Sequence, residues 1–331
     1  MHDVQIALIA IVILAIGFDF MNGFHDAANA IATSVSTRVL TPRQAILMAA
    51  VLNMVGALTG TAVAKTIGSG IVETSAINNN TIIAALIAAI IWNILTWYLA
   101  LPTSSSHALI ASIIGAGVAT AGGIGVLKWA GIEKILFGLV FSPIIGFAAG
   151  LLLMGLMMRL LKDTPPFVVT NRFKKWQIAS AAFMAFSHGG NDAQKTMGII
   201  TMALVATGHL SSFVVPFWVI IICGIAMAAG TAGGGWRIIR TLGMKLASLK
   251  PVHGFAAETA AATIIETASR LGLPLSTTHV ISSTIMGVGA SKRFSAVKWG
   301  VGGNIVVAWF VTLPACAVMA WFFCKLLILF C

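Results

Sequence analysis

Charge is what this sequence lacks most. Only 9% of its 331 residues are Asp, Glu, Lys or Arg, whereas soluble globular proteins carry about 25%. Cysteine is also scarce, and no cysteine has the spacing of a metal site or a disulfide framework. These shortages exclude a soluble globular domain, and they predict that the cysteines are small buried hydrophobic residues. The cysteines are Cys223, Cys316, Cys324 and Cys331.

Apolar residues dominate instead and make up 59% of the chain. Runs long enough to cross a bilayer recur along the sequence, which predicts an all-α polytopic membrane protein. A closed barrel would show short segments of alternating polarity instead. The first apolar run follows no basic leader, so we expect a retained helix and not a cleaved signal. The predicted membrane segments are 4–32, 44–63, 81–100, 103–122, 135–160, 176–203, 213–232, 253–271, 274–290 and 299–324.

The basic residues indicate how the chain crosses the membrane. The net charge is +11, but Lys and Arg cluster in short loops between apolar runs, which argues against a nucleic-acid partner. If the N-terminus is outside and each segment crosses once, most of these residues lie in inside loops, as the positive-inside rule requires. We therefore expect a cell inner-membrane protein with both termini on the outer side. The loop residues left outside are Lys65, Lys128, Lys134, Arg270 and Lys325.

Two pairs of polar motifs occur in the same order in each half of the chain. The first pair is NGFHDAANAIAT from Asn22 and LPTSSSHALIASIIGAG from Leu101; the second is HGGNDAQKTMGIIT from His188 and LPLSTTHVISSTIMGVG from Leu273. Matched pairs indicate a duplicated unit. Because each unit has an odd number of segments, we expect two inverted-topology repeats of about five segments each. The predicted boundaries are 1–160 for the first repeat, 161–175 for a cytoplasmic linker and 176–331 for the second repeat.

Asp26 and Asp192 are the main candidates for ion coupling. A carboxylate inside a membrane segment is costly and is functional by default, usually on an ion or proton path. The alternative is an Asp that caps a helix break. Neighbouring glycines and asparagines suggest an unwound stretch whose oxygens could hold a hard cation. We therefore expect any Na⁺ site at Asp26, Asn29, Asp192 and Asn191.

The PTSSSH and PLSTTH segments are candidate anion sites. Each places Ser or Thr after a proline at a predicted helix start, where free N–H groups and the positive dipole end bind oxyanions. Both segments could be re-entrant hairpins, and the alternative is ordinary N-capping of two membrane helices. The candidate anion-binding hydroxyls are those of Ser104, Ser105, Ser106, Ser276, Thr277 and Thr278.

Several other polar residues are candidates for cation or proton coupling. They are His25, Asn22, Lys195, Glu258 and Glu266. Alignment of the two motifs places Asn29 opposite Lys195, so Lys195 could replace one coupling cation or join a proton relay. For Glu258 the alternative is a place in a first helical turn at the inner surface, and Glu266 could approach the outer surface.

The twin motifs resemble the duplicated signatures of the PiT inorganic phosphate transporters over essentially the whole chain. This resemblance implies secondary import of inorganic phosphate coupled to H⁺ or Na⁺, no cofactor, two re-entrant hairpins and a homodimer. It leaves open whether the cargo is free phosphate or a divalent-metal complex. His25 and the Gln194–Lys195 pair depart from the sodium-coupled members and leave the coupling ion open.

Three alternatives remain beside this interpretation. The first is a sulfate permease of the same fold. The second is a membrane enzyme that uses Ser106 with His107 or Ser276 with His279, but the sequence has no G-x-S-x-G elbow. The third is a passive anion channel. We expect the protein not to be an enzyme.

Overall fold

The computed structural model describes residues 2–73 and 77–330, so Cys331 lies outside the described residues. Within these ranges the chain is all-α, as predicted, and forms twelve α-helices. They are α1 His2–Ser36, α2 Pro42–Ala57, α3 Ala62–Gly70, α4 Asn79–Tyr98, α5 Ser105–Ala121, α6 Trp129–Leu160, α7 Pro166–Ala206, α8 Phe217–Gly233, α9 Trp236–Arg240, α10 Pro251–Arg270, α11 Thr277–Lys292 and α12 Trp299–Phe330.

Two of the predicted segments belong to bent helix pairs and not to straight spans. The predicted segment 44–63 is α2 followed by α3, with a bend of 70° between them. The predicted segment 213–232 is α8, after which the chain bends by 61° into α9 and a π-helical turn. Gly234 stands at the second bend with a φ of +67°, a left-handed conformation that glycine adopts without strain.

Several of the described helices are suited to a bilayer by length and composition. Four of them, α1, α4, α6 and α12, are long and apolar enough to cross it, and each bent pair would add one more. α5 is apolar but shorter. The chain is therefore a multi-pass membrane protein by these criteria, while ten crossings remain a prediction.

Each Ser/Thr motif lies at the start of a short helix that follows a break in the chain. α4 ends at Tyr98, Ala100 takes a φ of +57°, and α5 begins at Ser105. α10 ends at Arg270, Gly272 takes a φ of +67°, and α11 begins at Thr277. Both proline-containing breaks therefore bring a helix N-terminus into the protein interior, where the first residues of α5 and α11 are buried.

The predicted linker, residues 161–175, is partly helical. α6 ends at Leu160 and α7 begins at Pro166, so residues 166–175 of the predicted linker are helical. Proline is favourable at the first helical position because its missing N–H would have no partner there. α7 therefore starts before the second motif and carries it in the middle of a 41-residue helix.

Two buried apolar clusters meet near the middle of α1 and α7. The first cluster includes Phe18 of α1 and Met197 of α7. The second includes Ile31 of α1 and Met184 of α7. The two long helices therefore run in opposite directions through the clusters. Their polar motifs lie between Phe18 and Ile31 on α1 and just after Met184 on α7, where the clusters meet.

Candidate functional site

The Asp26 and Asp192 motifs lie in unbroken helices, so the predicted unwound stretches are wrong. Their glycines allow close helix packing instead. A Cβ on Gly23 would lie 2.3 Å from the Met227 carbonyl oxygen, and one on Gly189 would lie 2.2 Å from the Asn53 carbonyl oxygen. Membrane helices approach closely through such small residues. The backbone carbonyls stay in helical hydrogen bonds, so side chains form the site.

Asp26 lies between an imidazole and a hydroxyl. His25 Nδ1 is 2.7 Å from Asp26 Oδ1, and His25 Nε2 is 3.1 Å from the Thr96 hydroxyl of α4. From the other side, the Thr278 hydroxyl of α11 donates to Asp26 Oδ1 at 3.3 Å. All four side chains are buried. Asp26 therefore has an imidazole nitrogen and a hydroxyl from the second half of the chain beside it.

Asp192 has a buried ammonium as its partner. Lys195 donates to Asp192 Oδ1 and to the Ser106 hydroxyl of α5. The Thr277 hydroxyl donates to Asp192 Oδ2 at 3.1 Å, and His188 Nε2 lies 3.4 Å from the same oxygen. A buried charge is tolerated when it is paired and hydrogen-bonded. Lys195 and Asp192 satisfy that condition for each other.

The start of α11 joins the two carboxylates into one site. Asn29 donates to the hydroxyls of Thr277 and Thr278 at 3.3 and 2.9 Å. These hydroxyls contact Asp192 and Asp26, respectively. An unbroken series of side-chain contacts therefore runs from one motif to the other through a helix N-terminus. Sequence separation gives no sign of this, because α11 follows Asp26 by about 250 residues.

The predicted hydroxyls divide into three groups. Ser104 and Ser276 accept hydrogen bonds from the backbone N–H groups of His107 and His279, so they are ordinary N-caps. Ser105 is buried and its hydroxyl has no hydrogen-bond partner among the described residues. The hydroxyls that contact Lys195 or a carboxylate are those of Ser106, Thr277 and Thr278.

This arrangement has the chemistry of an oxyanion site. The first backbone N–H groups of α5 and α11 have no partner within their helices and point toward the N-terminal side. The Lys195 ammonium and three hydroxyls lie beside them. The two carboxylates are acceptors, so an anion that also carries a proton can donate to them while it accepts from the N–H and O–H groups.

Some predicted site residues lie outside this cluster. Asn191 donates to the Ser269 hydroxyl of α10 at 2.7 Å. Glu266 pairs with exposed Arg270, with 2.8 Å between Oε1 and Nε. The rings of His107 and His279 contact each other with centroids 4.4 Å apart, which joins α5 to α11.

Glu258 has a site of its own in the interior. It is fully buried and accepts hydrogen bonds from Thr33 of α1 at 2.5 Å, from Gln177 of α7 at 3.1 Å, and from Ser180 of α7. Glu258 is the eighth residue of α10, so it does not lie in the first helical turn. Glu258 therefore connects α10 to α1 and α7. Its contact on α1, Thr33, lies one helical turn after Asn29.

Two residues of the site region were not singled out from the sequence. His188 contacts Asp192, and it begins the second motif at the place that Asn22 holds in the first. Asp19 is fully buried, seven residues before Asp26. Asp19 could have been found from the sequence, because it is an acidic residue inside the apolar segment 4–32. Asn22 is buried as well, and its Oδ1 accepts no hydrogen bond among the described residues.

A small cation has three ligand atoms within reach. One atom each from Asp26, His188 and Asp192 lie within 4.8 Å of one another. Carboxylate oxygens suit Na⁺, but the Lys195 ammonium already contacts Asp192. The structure thus brings together the two carboxylates of the predicted Na⁺ set. The Asn29 amide donates to threonines, and the Asn191 amide donates to Ser269.

Comparisons with known proteins identify the family of the chain. Residues 22–320 match the model of the phosphate transporter family. A "Probable low-affinity inorganic phosphate transporter" of Rhizobium meliloti is 49% identical over 315 residues, which cover 95% of this chain and 94% of that protein. A protein of the same name from Bacillus subtilis is 48% identical over 96% of each chain. The predicted resemblance to inorganic phosphate transporters is confirmed.

A solved structure supports the fold. "The sodium-dependent phosphate transporter" has a TM-score of 0.89 with 26% sequence identity, and the match covers 98% of this chain and all of that one. These proteins are named as transporters and not as enzymes. The chain belongs to the phosphate transporter family.

Proposed function

We propose that this protein is a secondary active transporter that imports inorganic phosphate with protons by alternating access. One observation carries the proposal: Thr277 and Thr278 link Asp192 to Asp26, so both motifs share one buried site. Alternating access needs a single site between two halves, which opens to each side of the membrane in turn.

Inorganic phosphate fits the donors and acceptors of this site. Near neutral pH it carries one or two protons, so it donates to Asp26 or Asp192 while it accepts from Ser106, Lys195 and the helix N–H groups. Sulfate has no proton to donate, and the carboxylates would repel it unless they were protonated. Sulfate transport on the same fold is therefore the alternative.

The proposed halves are inverted repeats, with boundaries at 1–160 and 176–331. α1 and α7 run in opposite directions through the two apolar clusters, which supports the inversion. The short helix of each half packs against the last helix of the other: α5 against α12 and α11 against α6. We propose that α4–α5 and α10–α11 form the two re-entrant hairpins.

The proton is the coupling ion that the site favours. His25 lies beside Asp26, and both Lys195 and His188 lie beside Asp192. Each carboxylate therefore has a nitrogen of the protein where a metal cation would otherwise bind. Na⁺ is the alternative coupling ion, because Asp26, His188 and Asp192 also gather three possible ligand atoms.

The distribution of Lys and Arg supports a place in the cell inner membrane with both termini on the outer side.

The family resemblance supports a homodimer, and it leaves two forms of the cargo, free phosphate or a divalent-metal complex. Uptake with and without Mg²⁺ separates these two forms.

The test is uptake of radiolabelled phosphate by proteoliposomes under imposed proton or sodium gradients. We expect an inside-alkaline gradient to drive accumulation above equilibrium, a protonophore to abolish it, and excess sulfate to compete weakly. Accumulation that requires a sodium gradient would replace the proton as the coupling ion. Equilibration without accumulation would indicate a channel, and equal competition by sulfate would favour the alternative substrate.

A further inference from the structure

We propose that Asp19 binds a transported proton of its own, in a small polar site that it forms with Asn22 and Thr196, before the proton reaches Asp26. This inference rests on the proposed proton coupling. Asp19 lies outside both repeated motifs, so this inference adds a second proton-binding residue to the path that the motifs form.

The groups around Asp19 are buried and poorly satisfied. Asp19 is 0% exposed, and the Asn22 side chain and the Thr196 hydroxyl face its carboxylate. Nevertheless, four atoms take part in no hydrogen bond of normal geometry within the described residues. They are both carboxylate oxygens of Asp19, Asn22 Oδ1 and Thr196 Oγ1.

Both oxygens of the Asp19 carboxyl are buried without a hydrogen bond of normal geometry, which points to a protonated acid. An ionised carboxylate in the interior is costly unless it is paired and hydrogen-bonded. A protonated Asp19 is neutral, and its O–H can donate to Asn22 Oδ1 or Thr196 Oγ1. One proton therefore satisfies the carboxyl and one of its neighbours together.

None of the other charged and titratable groups that the structure describes near Asp19 forms an ion pair with it, so a proton is the cation that neutralises it. α7 contributes Asp192 and Lys195, and α8 contributes the thiol of Cys223. Lys195 donates to Asp192 and Ser106. Among the described residues, Asp19 therefore has no ion pair within bonding distance.

The position of Asp19 on α1 suits a stage before Asp26. Seven residues are two helical turns, so Asp19 and Asp26 lie on the same face, about 10 Å apart along the axis. Asn22 lies between them. In the proposed orientation Asp19 is on the outer side, so a proton from outside reaches it first. The equivalent place on α7 holds Ala185, so the acid belongs to the first repeat alone.

The test compares Asp19→Asn, which imitates the neutral acid, with Asp19→Glu, which keeps a titratable group. Proteoliposomes report the protons moved per phosphate, the pH profile of uptake, and phosphate–phosphate exchange, which requires no net proton movement. For Asp19→Asn we expect fewer protons per phosphate, a flatter pH profile and about tenfold less accumulation under a pH gradient. Exchange should slow much less than accumulation, and Asp19→Glu should restore accumulation with a displaced pH profile.

Asp163→Asn is the matched control, because Asp163 is an exposed acid whose side chain is 88% accessible; it should behave as the wild type.

A wild-type proton ratio and pH profile in Asp19→Asn would overturn the proposal. Equal loss of exchange and accumulation in a folded Asp19→Asn protein would also overturn it, because the residue would then serve phosphate binding or structure. If Asp19→Asn does not fold, an undisplaced pH profile in Asp19→Glu overturns it. A wild-type protein without proton-driven accumulation would refute the proposed coupling as well, whereas normal Asp19→Asn transport refutes only this inference.

Discussion

The Lys195 ammonium donates to the carboxylate of Asp192, one turn earlier on α7. Asn29 holds the equivalent place on α1, but it donates to Thr277 and Thr278 instead. The equivalent positions of the two motifs therefore make different contacts. Asp192 of the second motif has an ammonium beside it, whereas Asp26 of the first motif has His25 beside it.

Lys195→Asn should make transport depend more on sodium. The substitution removes the ammonium, so a mobile cation must neutralise Asp192 instead. We expect proton-driven uptake to fall and sodium to stimulate uptake at least about fivefold more than in the wild type. Uptake in proteoliposomes at several Na⁺ concentrations measures this. Lys65→Asn is the control, because Lys65 is an exposed lysine. An unchanged ion dependence in Lys195→Asn would contradict the role given to Lys195.

Glu258→Leu should destabilise the protein. Leucine is the residue at the matching place of the first half, Leu86, but here it would leave Thr33 and Gln177 without their acceptor, whereas Ser180 can still donate to the Gln177 carbonyl oxygen. Each buried donor left unsatisfied costs about 1–3 kcal/mol. Thermal unfolding in detergent should show a clear fall, with a smaller fall for Glu258→Gln. Exposed Glu133→Gln should not change the unfolding temperature. Equal stability of Glu258→Leu and the wild type would show that this carboxylate does not hold the helices together.

Gly189→Ala should disturb the packing of α7 against α2. The new methyl group would lie 2.2 Å from the Asn53 carbonyl oxygen, which is backbone and cannot rotate away. Overpacking of this kind costs about 1–3 kcal/mol. Gly155→Ala is the matched control, since a Cβ there meets nothing within 4 Å and alanine favours a helix. Thermal unfolding of both variants decides the point, and equal stability would contradict the close contact.

The repeated motifs allowed much of the site to be predicted. A carboxylate in an apolar segment stands out in any sequence, so Asp26 and Asp192 were visible without a structure. The Ser/Thr runs after Leu-Pro also predicted the helix starts of α5 and α11. These signals are local, because each depends on residues within a few positions of one another.

The remaining features depend on packing between helices. Glycines and asparagines near Asp26 suggested an unwound chain, whereas Gly23 and Gly189 serve close contacts that only neighbouring helices reveal. Asn191 precedes Asp192 by one residue, which turns its side chain about 100° around the helix and toward Ser269. Partners such as Thr33 and Glu258 lie far apart in sequence and meet only in the folded protein.

Equilibrium binding of phosphate to the purified protein tests the central claim that both repeats form one phosphate site. The account predicts one phosphate per chain. Ser106→Ala in the first repeat and Thr277→Val in the second should each weaken binding by about tenfold or more, because each removes a hydrogen bond to a charged ligand. Thr263→Val, at an exposed position of α10, should not. Two phosphates per chain, or unchanged affinity in either site variant, would contradict the account.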